Sequence, residues 1–188
     1  MSLKLITPAA VEPITLTEAK AHLKVDHTDD DILITSLIVA AREHAEGFQN
    51  RALVTQTWEL VLDAWPRGDS IDMPLPPLQS VTSIKYKDTE GVESTWAATN
   101  YIVDIDSFKG RVALAYGISW PSESLYPVGA IRIRFVAGYG LAVSVPEMTK
   151  AALKFGVQLN YDALKTDERK QIENARDVLL ALNRVTPI

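Results

Sequence analysis

The sequence predicts an α+β fold: a helical body from the N- and C-terminal segments with an inserted antiparallel β-rich section. Three observations carry that expectation. Apolar residues recur at three- and four-residue steps over 16–50 and again over 146–184. Between these stretches, over about 54–137, the apolar period falls to two. Helical and strand patterns do not alternate along the chain, which argues against a doubly wound parallel sheet. The 188 residues predict one domain spanning 1–188. A chain of that length buries roughly 70% of its unfolded surface, so no metal or disulfide is needed to hold its core.

Thr15-Leu16-Thr17-Glu18 opens the first helix. The Thr15 side chain can cap the Glu18 amide while Glu18 reaches back to the Thr15 amide, with Ile14 just outside as a staple. That helix is expected over about Leu16 to Lys24. Thr28-Asp29-Asp30-Asp31 then places carboxylates at the positive end of a second helix, expected from about Asp30 to Gln49. Its stripe is Ile34, Leu37, Ile38, Ala41, Ala45 and Phe48, with Arg42, Glu43 and Glu46 on the other side. Asn50 suits the left-handed residue that ends it.

From Val54 to Leu62 the chain alternates as a strand, with Val54, Trp58, Leu60 and Leu62 on one face. Trp65-Pro66-Arg67-Gly68-Asp69 reads as a turn, and Pro74, Pro76 and Pro77 as an extended connection. Val81–Lys87 pairs with Ser94–Trp96 across Asp88-Thr89-Glu90-Gly91. Tyr101–Asp104 and Arg111–Tyr116 flank a turn at Lys109-Gly110. Ala130–Val136 buries Ile131, Ile133 and Phe135 and turns Arg132 and Arg134 to the opposite face. Pro146 takes the first position of a third helix, which runs to about Leu164 with Met148, Ala151 or Ala152, Phe155 and Leu159 inward. A last helix begins near Arg169, carries Ile172, Ala175, Leu179 and Leu182, and stops before Pro187. The segment after Asp167 is expected either to fold back as a hairpin or to reach a partner.

Composition narrows the function. Apolar residues make up 47% and charged residues 23%, which is ordinary for a globular protein and argues against disorder. A formal net charge of −5 argues against a domain that neutralises nucleic-acid phosphates. With no cysteine there is no disulfide, thiolate metal site or cysteine nucleophile. The first eight residues hold no apolar stretch of signal-peptide length, and nothing approaches a membrane span.

Each catalytic template is weak. His22 and Asp26 share four-residue spacing and His27 adjoins the aspartate run, but neither supplies three convergent ligands. Asp29-Asp30-Asp31 lacks the alternation, glycine and terminal glutamate of a calcium loop. His44 reads as an exposed residue. Gly138-Tyr139-Gly140 lacks a third glycine and a following lysine, and reads as a chain reversal. Arg132 and Arg134 read as a solvated strand face, and Trp58, Trp65, Trp96 and Trp120 as core or interface. No catalytic, cofactor-binding or metal-binding residue is assigned, and no cofactor is expected.

Several segments together carry a resemblance. Leu16-Thr17-Glu18-Ala19-Lys20-Ala21-His22-Leu23-Lys24-Val25 precedes Asp29-Asp30-Asp31-Ile32-Leu33-Ile34 and Ala40-Ala41-Arg42-Glu43. Asn50-Arg51-Ala52-Leu53-Val54-Thr55-Gln56-Thr57-Trp58 follows, and later Phe135-Val136-Ala137-Gly138-Tyr139-Gly140 and Val145-Pro146. In this order and spacing the chain resembles the head–tail connector, or adaptor, proteins of long-tailed bacteriophages and prophages. The resemblance implies a single connector domain and a structural, non-enzymatic virion protein at the head–tail junction, present in the host cytoplasm during assembly. It implies self-association into a ring, usually dodecameric, below the phage portal protein. The ring would extend the DNA channel toward a tail-side stopper or completion protein. DNA would pass through without sequence-specific binding, and no membrane is involved. Two other readings stay open on the residues: a tail-completion or stopper protein, and an enzyme using dispersed carboxylates such as Asp104, Asp106 and Glu123.

Overall fold

A computed structural model describes residues 1–186. The elements are β1 (Ser2–Thr7), α1 (Leu16–Leu23), α2 (Asp31–Gln49), β2 (Gln56–Leu62), β3 (Ser70–Asp72), β4 (Leu78–Lys87) and β5 (Glu93–Trp96). They continue with β6 (Tyr101–Asp104), β7 (Arg111–Leu114), β8 (Ile131–Ala137), α3 (Glu147–Tyr161) and α4 (Thr166–Ala181). The fold is α+β, with helices from both ends of the chain and antiparallel sheets from the middle. The chain forms two compact units, one of Met1–Ala9 and Thr55–Gly138, the other of Ala10–Val54 and 139–186.

The β unit holds a five-stranded sheet, ordered β1-β2-β8-β4-β5, and a three-stranded sheet, ordered β3-β7-β6. In the larger sheet, register places Trp58 opposite Phe135, Leu60 opposite Ile133 and Ile84 opposite Ile133. Alternation thus gathers Leu60, Ile84, Ile131, Ile133 and Phe135 on one buried face. Ile71 and Val112, directly paired, are the buried row of the smaller sheet. The β4–β5 hairpin closes on Asp88, whose Oδ1 accepts from the amides of Glu90 and Val92. Gly110 has φ +68°, and a Cβ there would lie 2.5 Å from the Leu78 Cβ, so both the turn and the packing require glycine.

Two strands have no counterpart in the sequence expectations. β1 pairs with β2, whose partner residues lie fifty or more positions away, and nearly all of β1 is exposed. It carries no buried alternation to read. β3 is three residues long, too short for a periodic signal.

The helical unit has a core of Ile14, Ala19, Ile34, Ile38, Ala41, Ala45, Leu53, Ala152, Leu153, Val157 and Leu180. The capping box forms as expected: the Glu18 amide donates to Thr15 Oγ1 at 3.1 Å and the Thr15 amide to Glu18 Oε2 at 2.7 Å. Lys24 and Asn50 end α1 and α2 in the left-handed region, with φ of 59° and 52°. On α2, Leu37 and Phe48 are only half-buried. Arg42, expected on the outer side, is buried between Glu12 and Glu46.

On α3 the inward face holds the expected Ala152 and Leu159 but is otherwise rotated from the expected one. Ala152, Leu153, Gly156 and Val157 are buried, whereas Met148 is exposed and Phe155 half-buried. Gly156 lets α2 approach closely, since a Cβ there would stand 3.1 Å from the Ala41 Cβ. Pro146 is the cap residue rather than the first helical residue, and α3 ends at Tyr161 rather than Leu164.

α4 begins three residues earlier than expected and packs on α3 as a hairpin. Leu180 and Val185 are buried, while Ala175 is exposed and Val178 and Leu182 are each 64% exposed. The expected stripe through Ala175 and Leu182 is therefore displaced toward Ile172, Leu179 and Leu180. The cause is polar anchoring of the segment to the end of α2. Gln49 Nε2 donates to the Leu180 carbonyl at 2.9 Å, Arg51 Nε to that of Asn183 at 2.6 Å, and the Val185 amide to that of Gln49 at 2.9 Å. The stop expected at Pro187 lies outside the described residues.

Candidate interaction surfaces

The residues singled out for chemistry are dispersed and engaged with structural partners. His22 cannot share a helix face with Asp26, because α1 ends at Leu23 and Lys24 turns the chain. Its Nε2 lies 3.1 Å from Gln158 Oε1, and its ring meets Phe155 edge-on at 5.5 Å. His27 Nε2 is 3.9 Å from Asp30 Oδ2. His44 stacks on Phe48, and burial, with the charge of Arg176, pushes its pKa down. In the aspartate run, Asp30 Oδ2 accepts from the Tyr161 hydroxyl at 2.6 Å, which raises the Tyr161 pKa. Asp31 pairs with Lys20 at 2.6 Å. Among the described residues no three His, Asp or Glu side chains group as a metal site, and no helix is long and apolar enough to cross a membrane.

The dispersed carboxylates do not converge. Asp104 closes the β6–β7 turn, accepting from the Ser107 hydroxyl at 2.6 Å, from the Ser107 and Asp106 amides at 3.1 Å, and from Arg111 Nε at 3.0 Å. Those bonds, Ser107's foremost, lower its pKa to about 2. Glu123 instead neighbours Tyr86, whose pKa is raised by burial and then by that carboxylate. The Asp104 carboxyl is expected to stay ionised until pH falls to about 2. A folded pKa below the ordinary 3.8 means its contribution is complete above that value and is lost as pH falls through about 2. A carboxyl NMR titration with its midpoint at the ordinary value would contradict the turn geometry.

Gly138 and Gly140, at φ +117° and +100°, reverse the chain after β8, as the glycine pattern predicts. Three of the four tryptophans converge. Trp65 stacks on Trp120 at 5.0 Å, and Trp96 lies 5.6 Å from Trp65 and 5.5 Å from Tyr101. Trp120 Nε1 donates to the Gly68 carbonyl at 2.8 Å. The cluster ties β5 and β6 to the loops that carry Trp65 and Trp120, and its rings face one another rather than offering an open stacking platform.

Arg132 and Arg134 lie on the expected outward face, their side chains 38% and 44% exposed, but they are paired there. They bracket Glu59 of β2, whose side chain is 6% exposed: Arg132 Nη1 donates to Oε1 at 3.2 Å and Arg134 Nη2 to Oε2 at 3.0 Å. The sequence carried no local sign of this, because the partners lie 73 and 75 positions apart. Exposed apolar side chains stand elsewhere: Ile102, Ile105 and Phe108 around the β6–β7 turn, Leu141 and Val143 before α3, and Val178 and Leu182 on α4.

The residues singled out for chemistry are thus held in ion pairs, caps and turns, and apolar side chains are left at several surfaces. The chain matches the phage gp6-like head–tail connector protein family over residues 13–106, half its length. It belongs to that family, and is a structural protein of the head–tail connector class. No curated protein sequence matches it. Among solved structures, a chain from the neck of an empty GTA particle computed with C6 symmetry is 24% identical, with a TM-score of 0.79. The match covers 100% of this chain and 97% of that one. A chain from the neck of a native GTA particle computed with C12 symmetry gives the same identity, coverage and TM-score. A chain from the virion of a native gene transfer agent (GTA) particle is also 24% identical, with a TM-score of 0.78. These likenesses extend the fold assignment beyond residue 106 to the whole chain.

Proposed function

We propose that this protein acts without catalysis, assembling as a ring below the portal of a phage or prophage particle and carrying the DNA channel toward the tail. Membership of the connector family is the observation that supports this most. The symmetric necks from which the similar folds come point the same way, with twelve copies as the expected number. The two units would work as one connector domain over 1–188, bound by portal on one side and a stopper or completion protein on the other. DNA would pass without sequence-specific contact, and the protein would sit at the head–tail junction after assembling in the host cytoplasm. The ring contact is head-to-tail, each copy using two different patches. Light scattering of the protein alone and mixed with its portal tests the reading. A portal-bound mass of many copies is expected, and a monomer that never joins portal overturns it.

A further inference from the structure

On one face of the five-stranded sheet, Glu59, Ser83, Lys85, Glu93, Arg132 and Arg134 line a recess of about 110 Å³. Glu59 takes one nitrogen from each arginine, yet a guanidinium offers five N–H donors. Arg132 Nε is buried and has no hydrogen-bond partner. Lys85 pairs with Glu93 at 2.8 Å, leaving the arginines and the lysine in excess over the two glutamates. The Arg132 and Arg134 side chains are 38% and 44% exposed, so donors other than the buried Arg132 Nε can meet an incoming group. The lining is thus short of one negative charge and of acceptors. A carboxylate supplies both, accepting from two guanidinium edges at once.

The surrounding face extends the imbalance. Lys4 stands directly opposite Glu59 across the β1–β2 pair, and Lys87 lies two residues beyond Lys85 on β4, so both fall on this face. The Glu93 carboxylate feels Lys87: its pKa is lowered first by the Lys85 hydrogen bond and also by the charges of Lys87 and Arg132. The whole chain nevertheless has a formal net charge of −5, so the residues away from this face carry a net negative charge. A basic face and an acidic remainder on one chain complement each other in a head-to-tail contact between copies. A recess of this size admits a side-chain carboxylate and a water or two, whereas the backbone of a stiff duplex would lie across its mouth.

We propose that this recess receives an aspartate or glutamate side chain from a neighbouring copy, and so forms one half of the contact between subunits. The proposal rests on the ring reading given above. Assembly of wild type, Lys85→Gln and Arg132→Gln onto portal, measured at about 50 mM and 500 mM salt, tests it. Lys85→Gln leaves the Glu59 pairs intact, so it reports even if Arg132→Gln fails to fold. Folded variants are expected to assemble at least tenfold more weakly than wild type at low salt, with the difference shrinking at high salt. If wild type assembles and the folded variants match it, the recess is not a contact and the proposal falls while the ring reading stands. If wild type itself never assembles, the ring reading falls and takes the proposal with it. If a 20-base-pair duplex binds wild type and loses affinity in these variants while assembly is unchanged, the occupant is phosphate and the proposal is overturned.

Discussion

Truncation of Ile34 to alanine is expected to destabilise the helical unit by about 2–5 kcal/mol. Ile34 is wholly buried on α2 and belongs to the cluster that includes Ile38, Leu153 and Val157. Removing three carbons there leaves a cavity among residues fixed by neighbouring helices, so little relaxation can fill it. Leu37 lies on the same helix and on the stripe the sequence predicts, but it is half-buried and only borders the cluster. Leu37→Ala should therefore cost about 1 kcal/mol. Denaturant unfolding of the two variants gives the comparison. Equal losses would mean that α2 is rotated from the position described.

Arg42→Ala is expected to cost about 3 kcal/mol, the lower end for breaking a buried ion pair. The Arg42 side chain is 8% exposed and donates to Glu12 Oε2 and Glu46 Oε2, both at 2.8 Å. Burial alone would lower its pKa, but the Glu12 hydrogen bond and the Glu46 charge outweigh burial and raise it. Glu46 also accepts from the Leu53 amide at 2.9 Å, so the cluster fixes the exit from α2 as well as the approach to α1. Losing the guanidinium leaves two partly buried carboxylates facing each other. Glu12 is more exposed than Glu46, and water there relieves part of the loss. Glu43 stands 3.9 Å from Arg42 on the exposed side, and Glu43→Ala should change stability by less than about 0.5 kcal/mol. Thermal unfolding measures both. A small loss for Arg42→Ala would show that the guanidinium is solvated rather than buried.

What could be read from the sequence was local. Thr15 and Glu18 are three residues apart, so their reciprocal caps are written in a single turn. Asn50 marks the end of α2 by its own backbone preference. Ile131, Ile133 and Phe135 alternate with arginines, which identifies β8 and its buried face. What could not be read depends on partners far along the chain. Arg42 looks like a surface charge until Glu12 arrives from thirty residues away. Arg132 and Arg134 stand on an open face, and their pairing with Glu59 appears only once β2 is laid beside β8. On α3 the sequence identifies the inward Ala152 and Leu159, but apolar Met148 and Phe155 outweigh Gly156, whose inward role comes from lacking a side chain. Nothing in one copy of the sequence displays a surface meant for another copy. The resemblance to connector proteins therefore rests on the order of short segments rather than on any chemical motif, and the family match over residues 13–106 agrees with it.

The proposed role makes this protein a neck subunit that builds onto portal as a ring. Electron microscopy of purified portal mixed with the protein tests it most directly. End views should show a closed ring of this protein coaxial with portal and continuing its channel, with twelve copies expected. Portal particles with no added density, beside free monomers of this protein, would contradict the account.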